Sequence, residues 1–84
     1  MRPRSHIRRK IKRDVFARDG GKCFWCSTNI TLEGSTVDHI VTASRGGSYH
    51  PRNLVLACFD CNQLRGDMPA DRFLRSVLAS EVRA

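Results

Sequence analysis

Eighty-four residues carrying a net charge of +7 make one small domain. A chain this short buries only about 60% of its unfolded surface, which excludes a large self-sufficient core and calls for a staple. Four cysteines are available for one, and no apolar run is long enough for a signal-peptide core or a bilayer span.

The charge is concentrated at one end. Residues 1–18 hold eight basic residues and one acid, whereas residues 19–84 hold seven of each. A basic arm on a neutral body points to a polyanion, above all nucleic acid. The alternative is a solvated helix whose charge only aids solubility. Ile7, Ile11 and Val15, with Phe16 beside them, follow a helical period. Arg8, Arg9, Lys12 and Arg13 fall away from that stripe and are the expected nucleic-acid contacts. Asp19-Gly20-Gly21 ends the helix, because glycine accepts the left-handed conformation at a C-terminus.

Cys23 and Cys26 follow at once, with Phe24 and Trp25 between them. Trp25 is expected to pack over this knuckle, the alternative being a stacking surface for a base. Residues 27–35 read as a polar turn region. Thr36–Val41 is β-prone, with Val37 and His39 on one side of the pleat. Residues 44–52, with Gly46, Gly47 and Pro51, form a loop, and Asn53–Ala57 is a second strand, apolar on both faces and therefore buried. Two strands joined by one loop suggest an antiparallel hairpin. Cys58–Arg65 opens and continues a short helix that stops at Gly66. A last helix over 68–82 carries the stripe Ala70, Phe73, Leu74, Val77 and Leu78 toward the core, with Pro69 in its first turn.

The two Cys-x-x-Cys pairs stand 31 residues apart. In a chain expected to be intracellular, such pairs bind metal more often than each other. Cys23, Cys26, Cys58 and Cys61 supply four thiolates, which suits closed tetrahedral structural zinc. Two disulfides are the alternative. A redox Cys-x-x-Cys needs one pair in a βαβ context that this chain lacks. RING and LIM domains need more ligands than are present.

Between the pairs, Asp38 and His39 set a carboxylate beside a titratable imidazole, a combination suited to a divalent metal next to a general base. Asn62 follows Cys61, and the 100° turn per helical residue lets it face the hairpin while Cys61 faces zinc. The three are expected to converge. Arg65, one turn after Asn62, and Arg45, Arg52 and His50 on the loop are candidate phosphate contacts, the alternative for each being an ordinary surface residue.

Cys23-x-x-Cys26, Asp38-His39-Ile40, Gly46-Gly47, Asn53-Leu54-Val55 and Cys58-x-x-Cys61-Asn62 together resemble the HNH nuclease family over about residues 13–66. The resemblance implies a small α+β fold of the ββα-metal type. A zinc scaffold, a basic N-terminal helix and an amphipathic C-terminal helix complete it, in one domain over 1–84. By the same resemblance, Asp38 is a ligand of a catalytic divalent ion and His39 is the general base. Asn53 braces the loop and orients His39. Asn62 stands where many members carry a final histidine, an HNN-type variant whose amide oxygen shifts the expectation toward Mg²⁺ or Mn²⁺. DNA is the implied substrate, cleaved by a monomer. So small a nuclease has little room for base readout, which implies low specificity or a partner protein that supplies it. Phage, mobile-element and restriction-associated origins stay open. The rival reading is a non-catalytic zinc module that only binds nucleic acid.

Overall fold

The apolar run Leu54–Ala57 forms the strand on which everything else is laid. The computed structural model describes residues 2–83. In chain order it has α1 (Ser5–Arg18), β1 (Ser35–His39), β2 (Leu54–Cys58), α2 (Phe59–Arg65) and α3 (Ala70–Arg83), with 3-10 turns at Ala43–Arg45 and Pro51–Asn53. The strands pair antiparallel, with Val37 opposite Leu56 and His39 opposite Leu54. The small α+β class expected from the sequence is the one observed, and β1, β2 and α2 make a ββα unit.

A strand with both faces covered needs apolar residues on both. Leu54 and Leu56 point to one side, where they meet Val15, Ile11 and Phe16 of α1. Val55 and Ala57 point to the other, against Trp25, Cys23, Cys61 and Phe73. Leu56 and Ala57 are fully buried. The chain thus has two small cores with β2 as their common wall. Trp25 belongs to the second, over the cysteine knuckle, and is not a free stacking surface.

Among the described residues no strand lies beside the outer edge of β2, yet the polar groups of Leu54 and Leu56 there are matched. The Leu56 N–H donates to Asp19 Oδ2 at 2.9 Å, and the Leu56 carbonyl accepts from the Phe24 N–H at 2.8 Å. Arg18 reaches the carbonyls of Leu54 (2.6 Å) and Pro51 (2.9 Å) and pairs with Asp19 at 2.7 Å. Burial alone would push the Asp19 carboxyl up, but Arg18 and the Leu56 N–H outweigh it and hold it below its ordinary value. Asp19 and Arg18, which read from the sequence as helix end and cationic arm, are therefore side-chain partners of the sheet. Gly21 makes the turn after α1 at φ 66°, where a Cβ would stand 3.1 Å from the Phe16 ring.

Some boundaries differ from the sequence-based ones. The helix α1 begins at Ser5, ahead of Ile7, and Ile7 at the near end of its stripe is exposed. β1 stops at His39, short of Val41: the Ile40 N–H still meets the Asn53 carbonyl in register (2.8 Å), but the Val41 N–H goes to the Asn53 side chain (2.9 Å). Asn53 itself lies in the turn before β2. On α3, Phe73 is buried and Ala70, Leu74 and Val77 pack against the second core, but Leu78 is 51% exposed. The apolar cluster ends at Val77, so the last position of the predicted stripe has no counterpart to bury against.

The β1–β2 loop closes on itself through Gly47. Its N–H donates to the Thr42 carbonyl at 2.9 Å, and an added Cβ would fall 1.7 Å from the Val41 carbonyl oxygen. Backbone has to move to admit any side chain there. Gly47→Ala should therefore cost about 1–3 kcal/mol, as overpacking does. Urea denaturation checks this, and an unchanged midpoint would show that the loop does not need the close approach.

Candidate active site

The two knuckles bring the four sulfurs together. One ligand atom from each of Cys23, Cys26, Cys58 and Cys61 lies within 4.8 Å of the others, and all four cysteines are free of disulfides. Cys23 and Cys61 are buried, whereas Cys26 and Cys58 are half-buried. Burial raises the Cys61 and Cys58 thiols, and neighbouring sulfurs add to that rise for Cys61. Cys26 is lowered to about 7, because the hydrogen bonds of Thr28 overcome the burial that opposes ionisation. Four crowded sulfurs cannot all ionise unaided. The donor set has the number, type and closeness that a tetrahedral thiolate centre requires.

Successive strand residues face opposite ways, and at positions 38 and 39 this decides the layout. Asp38 turns toward α2. Its Oδ2 accepts from Trp25 Nε1 at 3.0 Å and lies 3.1 Å from Arg65 Nη1, while Oδ1 accepts from the His39 N–H at 2.8 Å. Arg65 is 2% exposed. Its guanidinium also donates to the carbonyls of His39, Ile40 (2.6 Å) and Met68 (2.9 Å), and lies 4.9 Å from the centre of the Trp25 ring. The expectation that Arg65 meets a phosphate is corrected here. Four of its five N–H groups are spent inside the protein, on Asp38 and the three carbonyls, and the side chain holds β1 to α2.

Asn62 shares the Asp38 side of β1, where its Nδ2 donates to Thr36 Oγ1 at 2.9 Å. His39 projects from the other side, with Val37, toward α1. Its ring meets Tyr49 edge to face, with centroids 4.6 Å apart. The expected trio is thus divided, with carboxylate and amide on one side of the strand and imidazole on the other. His39 Nε2 is shielded from solvent and is the one buried side-chain nitrogen or oxygen among the described residues without a hydrogen-bond partner. Burial lowers its pKa from the ordinary 6.5; Asp38 pulls it back up and Arg65 adds to the lowering. The neutral form therefore prevails at pH 7.

Asn53 ties the loop to the end of β1. Its side chain accepts from the Val41 N–H and donates to the carbonyls of Val41 (3.0 Å) and Ser48 (2.9 Å), while its own carbonyl accepts from the Ile40 N–H. Arg45 is exposed, 3.9 Å from Asp67. Arg9 and Arg13 on α1 are exposed; Arg8 and Lys12 are half-buried. With Arg2, Ile11, Val37, His39 and Tyr49, these last two line a cleft of about 240 Å³. Tyr49 was not legible as a site residue, since a single aromatic residue in a glycine-containing loop has no periodicity to mark it.

Residues 23–78 match the family model described as HNH endonuclease. The chain belongs to the HNH endonuclease family. A related segment occurs in the CRISPR-associated endonuclease Cas9 of Corynebacterium diphtheriae, 42% identical over 53 residues. That alignment covers 62% of this chain and 5% of the relative, so only a small part of Cas9 is compared. The HNH match begins at Cys23 and leaves α1 outside it. No helix among the described residues is long and apolar enough to cross a membrane.

The Arg65 network makes a quantitative demand of this HNH domain. Removing one partner of a buried ion pair typically costs about 3–5 kcal/mol, because the other charge is left buried and alone. Arg65→Met should cost that much in equilibrium denaturation. Arg65→Lys should recover only a fraction, since one ammonium cannot span Asp38 and three carbonyls. A Met variant as stable as the parent would remove the network from its structural role.

Proposed function

We propose that the chain is a metal-dependent endonuclease that hydrolyses phosphodiester bonds in DNA, with His39 as the general base. The observation that carries this reading is the His39 imidazole: lowered in pKa, unpartnered at Nε2, and set on a cleft whose opposite wall is cationic. An ordinary structural histidine spends its nitrogens on hydrogen bonds, and a buried unpartnered one costs on the order of 1–3 kcal/mol. Nε2 is sealed from solvent, which leaves Nδ1 as the nitrogen proposed to meet water. In the Nε2–H tautomer, Nδ1 accepts a proton from a water whose oxygen attacks phosphorus. The imidazolium then returns the proton to solvent. By family analogy the products are a 5′-phosphate and a 3′-hydroxyl.

The donor set on the other side of β1 fits a hard, water-rich dication. Asp38 keeps one acceptor position on Oδ1, and the Asn62 amide oxygen accepts no hydrogen bond among the described residues. Two oxygen donors leave most of an octahedral shell to water and phosphate, as Mg²⁺ and Mn²⁺ prefer. When bound, such an ion supplies positive charge to the scissile phosphate and the departing oxygen. Asn53 holds Ile40 and Val41, and through them the position of His39. Arg9, Arg13 and Arg45 are read as exposed contacts for the DNA backbone.

Two observations favour the non-catalytic alternative: Asp38 and Asn62 lie across β1 from His39, and Arg65 already neutralises the Asp38 carboxylate at Oδ2. The mutational test separates the two. His39→Ala should bind DNA as the parent does and retain its fold, yet cut plasmid DNA roughly 10²–10⁴-fold more slowly in Mg²⁺ or Mn²⁺. Asn62→Ala should instead raise the divalent metal concentration needed for half-maximal rate. Cleavage by His39→Ala at the parental rate, or no cleavage by the parent in any divalent metal, defeats the nuclease reading.

The four-cysteine centre is proposed to hold one structural zinc, which with four thiolates keeps no open position and does no chemistry. Binding energy at such a site is folding energy in a small domain. Elemental analysis should find one zinc per chain, and Cys58→Ser should unfold or aggregate the protein. Two disulfides and no zinc by mass spectrometry would contradict this.

A further inference from the structure

A basic helix can serve a nuclease as a tether, which raises affinity only, or as part of the place where the chemistry happens. The cations of α1 are not equivalent, and the structure sorts them. Arg18 is committed to Asp19 and to the carbonyls of Leu54 and Pro51. Lys10 pairs with Asp14 at 2.8 Å on the exposed face. Arg9 and Arg13 are exposed and border a separate hollow with Leu32 and Glu33. Arg8 and Lys12, four residues apart and therefore on one face, lean into the cleft that His39 and Tyr49 close from the other side. Arg8 is steadied there by an Nη1 hydrogen bond to the Pro3 carbonyl at 2.7 Å, its other N–H groups having no partner among the described residues.

We infer that Arg8 and Lys12 hold the scissile phosphodiester, or the phosphate next to it, against His39, so that α1 forms one wall of the active site. The inference rests on the nuclease reading above and adds a substrate-contacting role for two residues outside the span of the family match. The cleft is suited to this task. Ile11 and Val37 contribute an apolar lining, no acidic side chain among the described residues lines it, and its volume of about 240 Å³ admits a phosphate group with several waters. Phosphoryl chemistry places extra negative charge on the non-bridging oxygens. Cations fixed beside those oxygens stabilise the transition state more than the ground state. Nearby cations in a low-lying cleft are also screened less by salt than an exposed arm is. An exposed tether and a cleft wall thus differ in what they contribute, although both are positive.

The experiment compares two double variants that remove equal charge from the same helix: Arg8→Gln with Lys12→Gln, and Arg9→Gln with Arg13→Gln. Glutamine keeps the first two methylenes of each stem, two of three in arginine and two of four in lysine. Equal thermal melting and equal metal content check that the fold survives in both. Cleavage of a duplex is then followed in single turnover, with protein in saturating excess and Mg²⁺ or Mn²⁺ present, alongside affinity measured without divalent metal. Both doubles should lose affinity. At saturation the Arg8/Lys12 double should be at least roughly 10-fold slower than the Arg9/Arg13 double. That is less than the ~10²–10³ of a sealed transition-state donor, because the cleft is open to water. Equal saturated rates for the two doubles, or a parental rate for the Arg8/Lys12 double once binding is saturated, would reduce α1 to a tether and overturn the inference while the nuclease reading stands. A parent that cuts nothing would take both down.

Discussion

The buried guanidinium of Arg65 is the contact on which the active-site region depends. A planar fork beneath β1 satisfies the Asp38 carboxylate and three backbone carbonyls, with the Trp25 ring within cation–π distance. Through these bonds the end of β1, the start of the β1–β2 loop and the α2–α3 connection become one rigid piece. His39 is carried by that piece. Asn53 does the complementary work from the loop side, so the imidazole is positioned by backbone held from two directions. The cysteine cluster lies on the far side of the same core, tying the knuckle before the hairpin to the helix after it.

Much of this was legible in the sequence, and the physical reason is patterning. Two Cys-x-x-Cys pairs, a strand apolar on both faces and a 3.6-residue stripe on the last helix each signal their element without help from the rest of the chain. What could not be read was where long polar side chains would end. Arg65 looked like a surface cation because charge is usually solvated, and nothing local announces that Asp38, 27 positions earlier, will be buried beside it. Arg18 and Asp19 looked like the end of a helix for the same reason, although they supply the hydrogen bonds that the open side of β2 lacks.

The candidate site residues are neighbours in the sequence but not occupants of one spot. Adjacent positions on a strand face apart, and this separates Asp38 from His39 although they share a peptide bond. Asn62 joins Asp38 through Thr36. His39 instead joins Tyr49 and the cationic side of α1. Seen this way, the eight basic residues of the first segment form several groups with different duties and not a single cloud of charge.

The opposed directions of Asp38 and His39 also fix how accurately the hairpin has to be assembled. Side chains on a strand alternate with a period of two, so a one-residue slip of β1 against β2 exchanges the two faces. The imidazole would then enter the cysteine-lined core and the carboxylate would face the basic helix, reversing the polarity of both compartments. The Gly47 approach to the Val41 carbonyl and the Asn53 bridge to Val41 and Ser48 are the devices that count residues around the turn. They act as a ratchet that admits a single register, and in doing so they decide which side of the strand each of the two neighbours will occupy.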